Sequence, residues 1–187
     1  QFGEHSNGTV HDFNKTNDLS ATHDGTREGF MLNSGLSYQN QDIADLGDDK
    51  EKYRWNLQPT NQRAKDDFSG LIAMAKAFSL QGSELDVATA ETMDMDSWLT
   101  TFAFNSLGGN LDIYTVVGST QNLRIYVHPE TNKGMALPWD LDHFWRMPTN
   151  QPLHGTHPQN LTKIINRPHN LLLYYCIMLD MIETTFN

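Results

Sequence analysis

Residues 122–142 read Asn-Leu-Arg-Ile-Tyr-Val-His-Pro-Glu-Thr-Asn-Lys-Gly-Met-Ala-Leu-Pro-Trp-Asp-Leu-Asp. Leu123, Ile125 and Val127 alternate with Arg124, Tyr126 and His128, the period of a strand with one buried face. Pro129 to Gly134 supply the residues of a reversal, and Met135 to Trp139 then return as a second strand. The spacing predicts a β-hairpin. If His128 pairs with Met135, antiparallel counting sets Asn122 opposite Leu141, so the Asn122 amide lies beside Asp140 and Asp142. A one-residue slip turns side chains to the other face but preserves this neighbourhood.

Working toward the N-terminus, Asp94 or Asp96 opens a helix that carries Trp98, Leu99, Phe102 and Ala103 inward and breaks at Gly108-Gly109. Asp112 follows that break, and the Gly-containing loop 114–120 lets it fold back toward the hairpin mouth. An earlier helix, capped by Asp66 or Asp67, places Phe68, Leu71, Ile72, Ala75 and Phe78 on one face and stops at Gln81-Gly82. Tyr53, Trp55 and Leu57 alternate with Arg54 and Asn56 as a half-buried strand ended by Pro59. Residues 1–50, with scattered apolar positions such as Phe13, Phe30, Met31 and Leu32, read as a loop-rich N-terminal segment of the same domain.

Working toward the C-terminus, Met147 to His169 contain four prolines and read as an irregular excursion. A closing helix is expected over about residues 169–186. Its apolar set from Leu171 to Ile182 is assigned to the core, with Cys176 as a small buried thiol. Asp180 interrupts the run before the ~18 apolar residues of a membrane span. The expected class is α+β, mainly helical with one hairpin.

The chain has 187 residues, 38% of them hydrophobic, enough for one core and so for one domain or one lobe. A formal charge of -10 excludes a protein built to grip nucleic acid, which requires clustered Lys and Arg. A nucleotide remains compatible with that charge, because divalent cations neutralise its phosphates. One cysteine allows no internal disulfide. Sequons at Asn7, Asn14 and Asn160 arise readily in an Asn-rich chain and do not identify a compartment.

Asp112, Asn122, Asp140 and Asp142 converge in this reading. Carboxylates and an amide are hard oxygen donors, which suit Mg²⁺ or Mn²⁺ completed by water and substrate phosphates. Their order along the chain is that of a protein kinase: helix, loop with an Asp and then an Asn, hairpin, metal-binding Asp. In that chemistry the loop Asp orients or deprotonates the attacking hydroxyl, while the Asn and the hairpin Asp hold metal. Taken singly, each residue has a plainer role: Asp140 and Asp142 as solvated turn carboxylates, Asp112 and Asn122 as turn caps. Asp42, Asp45, Asp48 and Asp49 lack the spacing of a calcium loop and read as a solvated face. His154 and His157 lack the spacing of a zinc helix.

Several segments resemble the spore-coat protein H (CotH) kinase-like family. They are Asp94-Met95-Asp96-Ser97-Trp98-Leu99, Gly109-Asn110-Leu111-Asp112, Gln121-Asn122-Leu123-Arg124-Ile125-Tyr126 and Ala136-Leu137-Pro138-Trp139-Asp140-Leu141-Asp142. Lys52 to Leu57, Asp66 to Ile72 and the closing helix join them, so the likeness spans roughly residues 28–187. It implies an atypical protein-kinase-like C-lobe over 51–187, secreted or coat-associated at the cell surface, moving the ATP γ-phosphate to Ser or Thr of a protein substrate. By position Asp112 resembles the catalytic aspartate, Asn122 and Asp140 the metal ligands, and Asp142 a carboxylate at or behind the metal.

Two features depart from the family pattern. Gln121 stands where members often carry His, and His143-Phe144-Trp145 follows where small residues are usual. The chain shows no Gly-rich phosphate loop or strand-borne Lys, so the nucleotide-covering lobe is expected upstream of Gln1. The rival readings are a non-catalytic structural or adhesive module of a secreted assembly and an Asp-x-Asp glycosyltransferase using a sugar nucleotide.

Overall fold

Thr9–Phe13 (β1), Leu57–Pro59 (β2), Leu123–Val127 (β3) and Gly134–Pro138 (β4) form one antiparallel sheet in the order β2-β1-β3-β4 in a computed structural model of the chain. The structure describes residues 7–13, 42–54, 57–114, 121–150 and 159–186. The helices are α1 (Glu51–Arg54), α2 (Ser69–Ser79), α3 (Gly82–Thr92), α4 (Met95–Leu107), α5 (Gln159–Ile165) and α6 (Pro168–Thr184). This is the expected α+β class. Loop 115–120, Phe30 to Leu32, Trp55, Asn56, the Asn14 sequon, His154 and His157 lie outside the described residues.

The hairpin forms, with its pairing shifted by two residues from the expected one. Leu123 faces Pro138 and Val127 faces Gly134, and the His128 N–H donates to Lys133 O at 3.0 Å. The reversal is tighter than its composition suggests. Asn132 takes a left-handed φ of 56°, and His128 Nδ1 accepts the N–H groups of Glu130 and Thr131 at 3.2 and 3.3 Å. A two-residue shift keeps every side chain on its expected face. Continued one step, the register sets Asn122 against Trp139 rather than Leu141.

β4 is an edge strand, and α4 covers it. Asp94 caps α4 by accepting the Ser97 N–H at 3.0 Å, while its own N–H donates to Gly134 O at 3.0 Å. Trp98 Nε1 donates to Gly134 O at 2.8 Å, and the Ser97 and Thr101 hydroxyls both donate to Ala136 O at 2.9 Å. The carbonyls that β4 would otherwise present to another chain are thus taken by a helix. Trp98 also sits edge-on between Phe78 and Phe102, with ring centroids 5.6 and 5.5 Å away. This cluster ties α2, α4 and the sheet into one core.

Four other expectations require correction. The strand expected over 53–57 begins only at Leu57. Its first part is the helical turn α1, started by Asp49 Oδ1 accepting the Glu51 N–H at 3.1 Å and locked by the Arg54–Glu51 ion pair. The Met147–His169 excursion contains α5. Gln81-Gly82 ends α2 but also starts α3, whose inward residues are only Leu85 and Thr89, too few to show as an apolar stripe. The closing helix buries Asn170, Tyr174 and Met178 alone; Cys176 is exposed, as are Leu172, Tyr175, Leu179 and Ile182. α6 lies outside α4 and α5, and its outer face is exposed. No described helix is long and apolar enough to cross a membrane.

β1 is a short element of the segment read as loop-rich, and it occupies a central place in the sheet. Its inward residues are Phe13 and a fully buried His11. His11 Nδ1 lies 3.0 Å from Leu57 O, and its ring packs on Phe68 at 5.1 Å. Burial is the main cause that lowers its pKa to about 4, with Arg54 in the same direction and Leu57 and Asp67 opposing. The folded pKa therefore lies below the unfolded value, and the unfolded chain binds a proton that the folded one refuses. Stability is expected to be lost as pH falls from about 6.5 to about 4, by about 3 kcal/mol in all. Urea midpoints of wild type and His11→Leu across pH 4–7 check this: the variant should lack that part of the acid limb, and parallel curves would exclude His11 as its source.

Candidate active site at the hairpin mouth

The mouth begins at the end of α4. Asn105, buried inside the helix, donates from Nδ2 to Thr101 O at 2.8 Å, and its Oδ1 accepts the Asn110 amide at 3.2 Å. Asn110, equally buried, turns its own Oδ1 to the Asp112 N–H at 3.1 Å. A buried amide chain thus carries the rigidity of α4 to Asp112, because unsatisfied amides in this interior would be costly. Beyond it, Ile113 and Tyr114 are fully buried. The Tyr114 hydroxyl donates to Asp42, whose other oxygen accepts the Asn160 N–H at 2.6 Å.

Asp42 therefore has a structural task, unlike the solvated carboxylate expected there. Burial pushes its pKa up, against the bonds from Tyr114 and Asn160. The other three acids of that group hold separate posts. Asp45 accepts the Gly47 N–H, Asp48 pairs with Lys76, and Asp49 starts α1. None of them faces the hairpin mouth.

Asp112 meets Asn122 and Gln121 directly. Asn122 Nδ2 lies 2.7 Å from Asp112 O and 3.3 Å from Asp112 Oδ2, while Gln121 Nε2 donates to Asp112 Oδ1 at 2.5 Å. Each carboxylate oxygen thus receives one amide. Asn122 is buried and left-handed, at φ 57°, a conformation that Asn tolerates better than most residues. With Nδ2 committed to Asp112, Oδ1 is the atom it has to offer a cation.

Asp140 and Asp142 stand on the opposite lip. Asp140 is also left-handed, at φ 55°, and leads into a 3-10 turn over Leu141–His143. That turn is fastened to the Asp112 loop: Leu111 N–H donates to His143 O at 3.4 Å, Trp145 N–H to Gly108 O at 2.7 Å, and Met147 N–H to Gly109 O at 3.0 Å. Gly108 permits the approach, since a Cβ there would sit 2.0 Å from the Phe144 ring. Trp139, next to Asp140, lies under the Arg124 guanidinium at 3.1 Å from its ring centroid.

The structure thus joins Asp112 to Asn122 and draws the Asp140–Asp142 turn against the same loop. Asp140 and Asp142 are exposed, and Asp142 lies 3.8 Å from His143 Nε2. Among the described residues no group of three His, Cys, Asp or Glu side chains is gathered as a metal cage. The available donors, Oδ1 of the buried Asn122 and the exposed Asp140 carboxylate, are few and hard. Such a set fits Mg²⁺ or Mn²⁺, which take one or two protein ligands and complete their shell with water and phosphate oxygens.

Sequence reasoning missed the parts that hold this arrangement. Gln121 was noted only as a departure, Asn105 and Arg124 had no assigned role, and Asp42 was read as part of a solvated face. Asn105 alone carried a legible signal, a polar amide on the inward face of an apolar helix. The family model described as CotH kinase protein matches residues 9–184, starting at β1 rather than near residue 28. No curated protein matches the chain.

Proposed function

Because the chain belongs to the CotH kinase family, we propose that it takes part in metal-dependent transfer of the ATP γ-phosphate to a Ser or Thr hydroxyl of a protein. The observation that carries this reading is the Asp112 carboxylate held between the Gln121 and Asn122 amides, beside the turn that bears Asp140. Asp112 is the group that orients the attacking hydroxyl and receives its proton. Asn122 Oδ1 and Asp140 would hold Mg²⁺ or Mn²⁺, with Asp142 near them, and the ion supplies charge neutralisation on the phosphates. The α4 amide chain and the 108–147 backbone bonds keep the two lips fixed, so little reorganisation accompanies substrate binding. An extracellular or cell-surface protein, either a substrate or a partner in a secreted assembly, is the proposed acceptor.

Incubation of the protein with γ-labelled ATP, Mn²⁺ or Mg²⁺ and an acidic Ser/Thr-rich protein such as casein tests the proposal. Label is expected in the acceptor, alkali-labile as for phosphoserine, and absent when EDTA removes the metal. Metal-dependent ATP binding without transfer to any acceptor would instead favour a binding module. Preference for a uridine or guanosine diphosphate sugar over ATP would favour the glycosyltransferase reading.

A further inference from the structure

α6 turns a stripe of large apolar side chains to solvent. Leu172, Tyr175, Leu179 and Ile182 follow one another at steps of three and four residues, with Cys176 beside them, and Leu172 and Leu179 are 68% and 57% exposed. Alternating steps of three and four make the seam along which two helices pack. Singly exposed apolar residues need no explanation, whereas a contiguous row on one helix marks an interaction surface.

The charges on α6 indicate what covers the row. Its first turn contains no acid and its last turn no base; instead Asp180 and Glu183 lie near the C-terminal end, where the helix's own dipole disfavours them. His169 lies at the N-terminal end. A second copy of α6 running antiparallel reverses the mismatch: Glu183 of each copy meets the partner's positive first turn and His169, Leu172 meets Leu179, and Tyr175 and Cys176 straddle the two-fold axis. A parallel copy would stack acid on acid. We propose that the protein forms a two-fold symmetric dimer through the exposed face of α6. One helix face is smaller than the ~800 Å² per partner of a standard interface, so the dimer is a weak one, with Kd in the micromolar range.

The single cysteine makes the test direct, because any thiol-linked dimer must be joined at Cys176. Sedimentation velocity over a concentration series should show a reversible monomer–dimer equilibrium, and a short bis-maleimide should trap the dimer. Leu172→Glu with Leu179→Glu should give a monomer, untrapped by the reagent, with an unchanged thermal melt because both side chains are exposed. Glu183→Lys should weaken the dimer about tenfold, and adding His169→Glu should restore it. A protein that stays monomeric to about 200 μM overturns the proposal and leaves the face to a different partner. A dimer indifferent to the Leu172 and Leu179 changes overturns it equally.

Discussion

Arg54→Leu is expected to cost about 3–5 kcal/mol and to lower the melting temperature by roughly 10 °C, one of the largest losses available in this fold. Arg54 is buried, yet it is charged. Its Nε and Nη2 reach Glu51 Oε2 and Oε1 at 2.6 and 2.7 Å, Nη2 also meets Asp66 Oδ1 at 2.6 Å, and the guanidinium lies 5.0 Å from the centre of the Phe68 ring. Burial opposes ionisation of Asp66, but the bonds from Lys50 and Arg54 outweigh it and hold that carboxyl below its usual range. Removing the guanidinium leaves two carboxylates at the junction of α1 and α2 without the cation they share, and Lys50 reaches Asp66 rather than standing between them. Lysine cannot substitute, since one ammonium does not span Glu51, Asp66 and the Phe68 face together. Urea unfolding of Arg54→Leu, Arg54→Lys and Asp66→Asn checks the argument. Asp66→Asn should cost least, because the Glu51 pair survives, and an Arg54→Lys variant as stable as wild type would contradict it.

Arg54 also shows why part of the fold was hidden in the sequence. Alternation of Tyr53 and Leu57 around Arg54 looks like a strand only if Arg54 faces water. In the structure Arg54 points inward with its own counterions, so the polar-out reading inverted and α1 was mistaken for strand. β1 failed for the same reason: His11 occupies an inward position where period-two reasoning expects an apolar residue, and the strand's apolar face reduces to Phe13. The elements that were legible, α2, α4 and the β3–β4 hairpin, have apolar inward faces and a turn or helix-stop signal. α6 was found but misjudged. Its row of Leu and Tyr all around the helix is indistinguishable from a buried helix until its neighbours are known, and α4 and α5 cover only one side.

The site was legible to a different degree. Asp112 and Asn122 could be named because an Asp after a glycine helix stop and an Asn at a strand entrance are local features. What holds them is not local. The Asn105–Asn110–Asp112 relay depends on the pitch of α4, the Asp42–Tyr114 anchor joins residues 72 positions apart, and the clasp between 108–111 and 143–147 depends on backbone bonds that composition does not reveal. The two-residue hairpin shift moved Asn122 from Leu141 to Trp139 without separating it from the Asp140 turn, because both registers put it at the same open end.

Asp112→Asn and Asp140→Ala should separate orientation of the hydroxyl from metal binding. Replacing one Asp112 oxygen by an amide removes the proton acceptor and sets N–H against the amide of Gln121 or Asn122, at a stability cost of about 1 kcal/mol. Phosphoryl transfer is expected to fall by about 10²–10⁴, while binding of Mn²⁺·ATP changes less than threefold. Asp140→Ala should act in the other order, weakening Mn²⁺·ATP binding tenfold or more with a stability loss of only about 1 kcal/mol, the cost of placing Ala at the left-handed φ of 55° that Asp140 adopts. Asn122→Ala touches both functions, because one amide restrains Asp112 and offers the cation its oxygen. The part it shares with Asp112 should not add: at saturating Mn²⁺·ATP the Asp112→Asn/Asn122→Ala pair should be scarcely slower than Asp112→Asn alone, while its nucleotide binding should be weakened as in Asn122→Ala. Equilibrium dialysis with Mn²⁺·ATP, beside initial rates of labelling, distinguishes the three. Full transfer by Asp112→Asn would remove the aspartate from its assigned role, and unaltered nucleotide affinity in Asp140→Ala would place the metal elsewhere on the mouth.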